Sequence, residues 1–204
     1  MVEVHYIDGE YPLEKDLFEA AGHFNRGQIV AFPTDTVYAL GCSLYNKEGI
    51  DRILKATGKE EKKTRLSVQV KDIKSIAAFV LPYSTQVFRA LKEYSPGPVT
   101  FILNANNHLA KFFKSTKREI GVRIPSHAVA AGLLKFSHDA IISTSIPLPP
   151  DLDVHETADY ILENYKHKID VLIHSQVEAP VESTIIDCTS EDIVVVREGK
   201  TIIP

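Results

Sequence analysis

The chain has 204 residues, of which 44% are hydrophobic and 25% are charged, and its formal net charge is −4. This balance predicts a single folded domain over residues 1–204 and excludes an intrinsically disordered chain. No apolar run approaches the roughly 20 residues of a membrane span, and the first ten residues carry three acids and no apolar segment of a secretory signal. Two cysteines give no basis for a disulfide framework, so we expect a cytoplasmic protein without membrane attachment.

Apolar periodicity and turn-forming residues divide the chain into helices and strands. Helices are predicted at residues 12–26, from 46 onward, 72–79, 84–94, 126–134 and 155–166, with Ser126 as the cap of the fifth. Strands are predicted at 28–32, 66–70, 98–103, 119–124, 140–143, 169–174, 183–187 and 193–196. Helices alternate with strands early and strands cluster late, which predicts an α/β fold with an open, twisted, mixed β-sheet flanked by helices.

Two segments of the chain are basic despite the negative net charge. Residues 51–74 contain eight basic and four acidic residues, and residues 111–123 contain five basic residues and one acidic residue. Such segments are either solvated helix faces and loops or two parts of a site for a polyanion.

A hydroxyl-rich segment follows the first predicted strand. Pro33 ends the strand, Thr34 and Thr36 flank Asp35, and residues 38–42 suit a turn of small residues. The threonines could contact a ligand, or the segment could be a turn held by bonds between side chains and backbone.

Arg123 and a run of hydroxyls complete the polar candidates. Arg123 stands in an apolar strand, where burial is costly unless it meets an anion, either the carboxylate of a ligand or a partner in a structural salt bridge. Ser143, Thr144 and Ser145 follow a short apolar strand. Alternation places Ser143 and Ser145 on one side, which suits phosphate or carboxylate recognition as well as ordinary capping.

Several familiar motifs are absent from the sequence. It has no Walker-type phosphate loop, no dinucleotide-binding glycine motif and no nucleophile elbow. Its eight histidines are scattered without the spacing of metal ligands. The sequence therefore predicts no covalent nucleophile and no metal site.

In their order along the chain, five motifs resemble those of the YrdC-like family, whose members include threonylcarbamoyl-AMP synthases. The family patterns P-T-D-T-x-Y-G-L-G, P-G-P-x-T, V-R-[IV]-P, S-T-S-A-N and P-S-T-[IV]-[IV]-D resemble residues 33–41, 96–100, 122–125, 143–147 and 182–187, and a closing R-x-G resembles 197–199. The resemblance covers nearly the whole chain.

The departures from the family patterns bring the chain closest to the YciO branch of the family. Ala39 replaces a Gly, Pro147 replaces the Asn, and Glu182 replaces a Pro. The family's Lys-x-Arg tripeptide corresponds to Thr57-Gly58-Lys59, and extra basic residues follow it.

The resemblance implies a reaction that joins L-threonine, bicarbonate and ATP, the last with magnesium. The amine of threonine takes up bicarbonate to give a carbamate, the carbamate oxygen attacks the α-phosphate of ATP, and pyrophosphate leaves. The resulting threonylcarbamoyl-AMP serves the modification of a tRNA adenosine. This chemistry needs aligned reactants and donors for the charge on phosphate, and it needs no covalent enzyme nucleophile.

The resemblance also implies roles for eight residues of this chain, none of them a covalent catalyst. The residues implied to bind the substrate threonine are Thr34, Arg123, Ser143 and Ser183. The residues implied to bind the nucleotide are Lys59, Arg65, Ser145 and Arg197.

Two alternatives stay open on the sequence alone. The basic segments could hold tRNA or double-stranded RNA without chemistry, or the chain could be a nucleotide-binding paralog without synthase activity. The loss of the family's Asn at Pro147 and the altered tripeptide favour these alternatives. The basic run at 59–65 contains no aromatic residue for base stacking, which argues against base-specific RNA binding.

Overall fold

The structure, a computed structural model, describes residues 1–59, 66–112, 118–177 and 181–204. The strands in these residues are β1 (Glu3–Tyr6), β2 (Val30–Phe32), β3 (Ala39–Ser43), β4 (Ser67–Gln69), β5 (Val99–Asn104), β6 (Glu119–Arg123), β7 (Ile141–Ser145), β8 (Val171–His174), β9 (Thr184–Asp187) and β10 (Val194–Arg197). The helices are α1 (Glu14–Asn25), α2 (Lys47–Ala56), α3 (Ile73–Ile76), α4 (Thr85–Tyr94), α5 (Asn107–Phe112), α6 (Ala128–Phe136) and α7 (Thr157–Tyr165), and a short 3-10 turn at Val154–Glu156 precedes α7. None of these helices is both long and apolar enough to span a membrane.

The strands form one ten-stranded sheet in the order β1-β8-β2-β3-β7-β4-β6-β5-β9-β10. The pairs β1–β8, β8–β2, β4–β6 and β5–β9 are parallel. The pairs β2–β3, β3–β7, β7–β4, β6–β5 and β9–β10 are antiparallel. This arrangement confirms the prediction of an α/β fold with an open, mixed sheet flanked by helices.

Two apolar clusters cover the two faces of the sheet. Leu17 of α1 and Leu133 of α6 belong to a cluster that includes Phe32 of β2. The preceding residue of that strand, Ala31, belongs to the other cluster together with Ile53 of α2. Because successive strand residues point to opposite faces, α1 and α6 lie on one face and α2 lies on the other.

The prediction of a turn at residues 38–42 is wrong. This segment enters β3, a central strand that pairs with β2 and β7. A Cβ at Gly41 would lie 2.8 Å from the side chains of Phe32 and Ile141, so the strand needs glycine there. Alanine and glycine are poor strand formers in isolation, and only the tertiary packing makes this segment a strand.

Other differences concern short elements and one helix cap. The four-residue edge strand β1 and the short helix α5 were not among the predicted elements. The prediction that Ser126 caps the fifth helix is wrong, because α6 begins later and the side chain of His127 accepts the capping bond from the Val129 N–H at 3.2 Å.

The buried Tyr38 hydroxyl ties the start of β3 to the end of β8. It accepts a hydrogen bond from the Ser175 N–H at 3.0 Å, and it lies 2.9 Å from the Ser175 carbonyl and 3.2 Å from the Ile173 carbonyl. Burial raises the pKa of Tyr38 to about 12, so the hydroxyl stays protonated and able to donate at neutral pH. One phenol therefore serves backbone groups that would otherwise be unpaired in the interior.

We predict that Tyr38→Phe lowers the free energy of unfolding by about 1–3 kcal/mol, because it leaves buried backbone groups without a partner. Urea denaturation followed by circular dichroism measures this change. The matched control is Tyr11→Phe, since Tyr11 is exposed and its replacement should change stability by less than about 0.5 kcal/mol. Equal stabilities for the two variants would contradict the role assigned to the Tyr38 hydroxyl.

Candidate functional site

The helices α1 and α6 cover only part of one sheet face, and polar residues occupy the rest of that face. The apolar cluster on this face includes Ile141 of β7, and alternation puts Ser143 and Ser145 on the same face. Across the sheet Ser143 is paired with Ser67 of β4, which in turn is paired with Gly121 of β6. A Cβ on Gly121 would lie 3.0 Å from the Ser67 hydroxyl, so this glycine keeps the floor of the site open.

A cavity of about 130 Å³ lies over this polar floor. Its lining brings together side chains from the loop after α2, the end of β7, the segment before β9, and β10. Its hydroxyl and charged lining residues are Lys59, Ser67, Thr100, Thr144, Ser145, Glu182, Ser183 and Arg197. Four residues with predicted binding roles thus meet at one cavity, although they come from distant parts of the sequence.

Lys59 is held against the end of β7. Its Nζ donates to the Thr144 hydroxyl at 2.7 Å and to the Ser145 carbonyl at 3.0 Å. Burial lowers the pKa of Lys59, the carboxylate of Glu182 raises it, and the guanidinium of Arg197 lowers it further. An anion bound beside Lys59 would offset the cost of burying its charge.

Arg197 is fixed by the segment that precedes β9. Its Nη1 donates to the Glu182 carboxylate at 2.7 Å, and its Nε and Nη2 donate to the Ser183 carbonyl at 3.1 and 2.7 Å. The Ser183 hydroxyl lies 3.2 Å from Nη2 and 3.0 Å from the Thr100 hydroxyl. The cavity therefore holds two cations and one carboxylate among its described lining residues, and it suits an anion that can compete with Glu182.

Arg123 of β6, two residues along the strand from Gly121, forms a buried ion pair. Its Nη2 lies 2.5 Å from the Asp35 carboxylate, and its Nη1 donates to the Thr36 hydroxyl at 2.9 Å. The other carboxylate oxygen of Asp35 accepts from the Ser126 hydroxyl at 2.8 Å. Arg123 Nε has no hydrogen-bond partner among the described residues. Burial lowers the pKa of Arg123 and the Asp35 charge raises it.

The hydroxyls of Thr34 and Ser143 are engaged within the protein. Thr34 donates to the Val37 carbonyl at 2.7 Å and accepts from the Thr36 N–H at 3.2 Å. Ser143 accepts from the Gln69 side-chain amide at 2.9 Å. Thr34, Arg123 and Ser143 are buried and do not line the cavity at Lys59 and Arg197.

Arg65 lies outside the described residues, so its predicted role stays a prediction. Sequence reasoning gave no binding role to Thr100, Thr144 or Glu182, although all three line the cavity. The signal for Thr100 and Thr144 was present, since both stand inside motifs that carried the resemblance. Glu182 stood out only as a departure from the family pattern.

The two cysteines are unsuited to nucleophilic catalysis. Burial raises the pKa of Cys42 and of Cys188 to about 12. Both thiols are therefore protonated at neutral pH, whereas the reactive form of cysteine is the thiolate.

We predict that Asp35→Asn lowers the free energy of unfolding by about 3–5 kcal/mol, because it leaves the buried Arg123 charge uncompensated. Urea denaturation measures the change, and Asp192→Asn on the exposed loop between β9 and β10 is the matched control. Replacing both partners, as Asp35→Leu with Arg123→Met, should recover most of the loss. If the Asp35→Asn protein has the same free energy of unfolding as the control variant, the ion pair does not stabilise this loop.

The comparisons with known proteins agree with this architecture. The family model for Sua5/YciO/YrdC, described as telomere recombination, matches residues 23–199. An uncharacterized protein of Haemophilus influenzae is 30% identical over 201 residues, which cover 98% of this chain and 96% of that protein. The crystal structure of YciO from Escherichia coli superposes with a TM-score of 0.89 at 27% identity and covers 98% of this chain and 97% of that one.

Synthases of the family are similar over a smaller part of their own length. A threonylcarbamoyl-AMP synthase of Pyrococcus abyssi is 28% identical over 184 residues, which cover 88% of this chain and 53% of that protein. The crystal structure of P. abyssi Sua5 complexed with L-threonine has a TM-score of 0.85 at 27% identity and covers 96% of this chain and 57% of that one. This chain spans little more than half of those proteins. It belongs to the Sua5/YciO/YrdC family.

Proposed function

We propose that the protein binds ATP and L-threonine and joins them with bicarbonate to give threonylcarbamoyl-AMP and pyrophosphate. The observation that carries this proposal is the convergence of Lys59, Ser145, Ser183 and Arg197 on one cavity. Two of the comparisons support the choice of substrates, since one match is a threonylcarbamoyl-AMP synthase and the other is a Sua5 structure with L-threonine.

The cavity would act by position and charge. Lys59 and Arg197 supply donors for the phosphate oxygens, where negative charge grows as the carbamate oxygen attacks and pyrophosphate leaves. The bonds of Lys59 to Thr144 and of Arg197 to Ser183 hold these donors in place before the ligand arrives. Because the donors are already oriented, little free energy is spent on reorienting them in the transition state. An enzyme without a covalent nucleophile accelerates transfer at phosphorus mainly in this way.

Magnesium would enter this site with ATP. Glu182 is the only carboxylate among the described residues that line the cavity, and it is paired with Arg197. Magnesium prefers phosphate oxygens and water with few protein carboxylates. The lining therefore fits an ion carried by the nucleotide, with Glu182 as the one protein carboxylate within the cavity.

Two features lower the expected activity below that of a typical family member. Glu182 holds Arg197 through an ion pair that a phosphate must break. Pro147 stands where the family has an asparagine, and its side chain has no donor. Loss of one preorganised donor to a developing oxyanion typically costs about 10²–10³ in rate.

We predict slow pyrophosphate release that requires ATP with magnesium, L-threonine and bicarbonate together. The rate should lie about 10²–10³ below that of a typical synthase of the family because of the missing donor. A coupled pyrophosphate assay with single omission of each reactant measures this dependence. Arg197→Ala should abolish the release, while Arg89→Ala, which removes an exposed cation on α4, should not change it.

A variant that restores the family's asparagine tests the same proposal in the same assay. Pro147→Asn should raise the rate, and it is preferable to a change at Ile146, which is 3% exposed and belongs to the core. A parent protein as fast as a typical synthase would contradict the reduced-activity part of the proposal. If the parent and the Pro147→Asn variant both release no pyrophosphate but bind tRNA tightly, the synthase proposal is wrong and an RNA-binding function takes its place.

We predict that Glu182→Gln tightens ATP binding by roughly 2–5-fold, because removing one partly exposed charge is worth less than about 1 kcal/mol. Lys59→Ala should weaken binding by about 10-fold or more, since a hydrogen bond to a charged group is worth about 1.5–3 kcal/mol. Isothermal titration calorimetry measures both. Glu163→Gln on the exposed side of α7 removes the same charge elsewhere and is the control. If Glu182→Gln and Glu163→Gln bind ATP equally, Glu182 does not face the nucleotide.

A further inference from the structure

Two histidines and one glutamate meet near β1, at the edge of the sheet opposite β10. Glu3 and His5 lie two residues apart on β1, and His23 lies on α1. The His5 Nε2 lies 2.8 Å from the His23 Nε2 and 3.0 Å from the Glu3 carboxylate, and the same carboxylate oxygen lies 3.6 Å from the His23 Nε2. The sequence predicts no metal site because these ligands come from two separate elements, and only the packing of α1 against β1 brings them together.

The two imidazole nitrogens are at hydrogen-bond distance, so without a metal one ring N–H is directed at the lone pair of the other ring. Ligands about 2.0–2.1 Å from a tetrahedral ion are about 3.3 Å apart, so the observed separations of 2.8–3.6 Å require only small side-chain shifts. A metal ion would replace the shared proton.

Two side chains compete for the Nδ1 of His23. It lies 2.8 Å from the Gln28 side-chain oxygen, and in the tautomer that donates to this oxygen Nε2 carries the lone pair that an ion would use. Arg26 Nη2 lies 2.9 Å from the same Nδ1 and Arg26 Nε lies 3.3 Å from the Gln28 oxygen, so this tautomer requires the exposed Arg26 side chain to turn into solvent.

We propose that Glu3, His5 and His23 form a binding site for one divalent transition metal ion of the zinc type. Two imidazoles and one carboxylate are the protein ligands of many zinc sites, and water completes the coordination at the exposed side of Glu3. The bound ion connects the edge strand β1 to α1. This site is independent of the proposed synthase function.

The test uses protein that has no histidine tag and has been stripped with a chelator. Zinc titration followed by calorimetry should give one ion per chain, and cobalt in its place should give the visible absorption of a low-coordinate site. Glu3→Gln and His5→Ala should each weaken binding by at least about 10-fold, since even loss of an outer partner costs that much. Saturating zinc should raise the melting temperature of the parent by several degrees, and much less in these variants.

Three further variants separate this site from adventitious binding. Gln28→Leu, which removes the partner of the His23 Nδ1, should weaken zinc binding by about 10-fold. Arg26→Gln should tighten binding, because it removes a positive charge that lies 2.9 Å from the His23 Nδ1. The control His155→Ala changes an exposed histidine outside the cluster and should bind as the parent does.

The proposal is overturned if the parent binds no zinc at a concentration of about 100 μM, a level far weaker than typical protein zinc sites. It is also overturned if Glu3→Gln and His5→Ala bind zinc as tightly as the parent. Glu3 is exposed on an edge strand, so Glu3→Gln should keep the fold even if a change at the buried His23 does not.

Discussion

The buried ion pair between Arg123 and Asp35 is the interaction on which the site depends. It joins the end of β6 to the segment between β2 and β3, and the Asp35 carboxylate also accepts from Ser126 just before α6. A buried charge is tolerated only when its partner is held in place, so the pair constrains three parts of the chain together. The hydroxyls of Thr34 and Thr36 take their positions from the same constraint.

The cavity exists because one face of the sheet changes from apolar residues to small and polar residues. The face packed by α1 and α6 is apolar as far as Ile141 and then carries serine and glycine at Ser143, Ser67 and Gly121. Serine and glycine at these positions offer little apolar surface for a helix to pack on, and Ser67 and Gly121 line the cavity. Lys59 comes from the loop after α2 and Arg197 from the end of β10, so the two cations are far apart in the sequence.

The sequence predicts the main architecture because long apolar patterns decide it. The α/β class, the mixed sheet and most of the helices follow from periodicity. The predicted start of the second helix at residue 46 is confirmed, since the Asn46 side chain caps α2 by accepting from the Gly49 N–H at 2.9 Å. β3 could not be predicted, because residues such as Gly41 are favoured there by close packing against Phe32 and Ile141, which no local pattern reveals. For Arg123 the sequence left a ligand carboxylate and a structural partner open, and the structure provides Asp35. The meeting of His5 with His23 depends on helix packing and is invisible in the spacing of histidines.

A crystal structure of the protein with ATP, magnesium and L-threonine tests the central claim most directly. The proposed function predicts phosphate oxygens within hydrogen-bond distance of Lys59 and Arg197, the Arg197–Glu182 pair opened, and threonine next to Ser183 and the loop held by Arg123. Nucleotide bound at another surface, with the bonds of Lys59 and Arg197 unchanged, would contradict the assignment of this cavity as the site of adenylate formation.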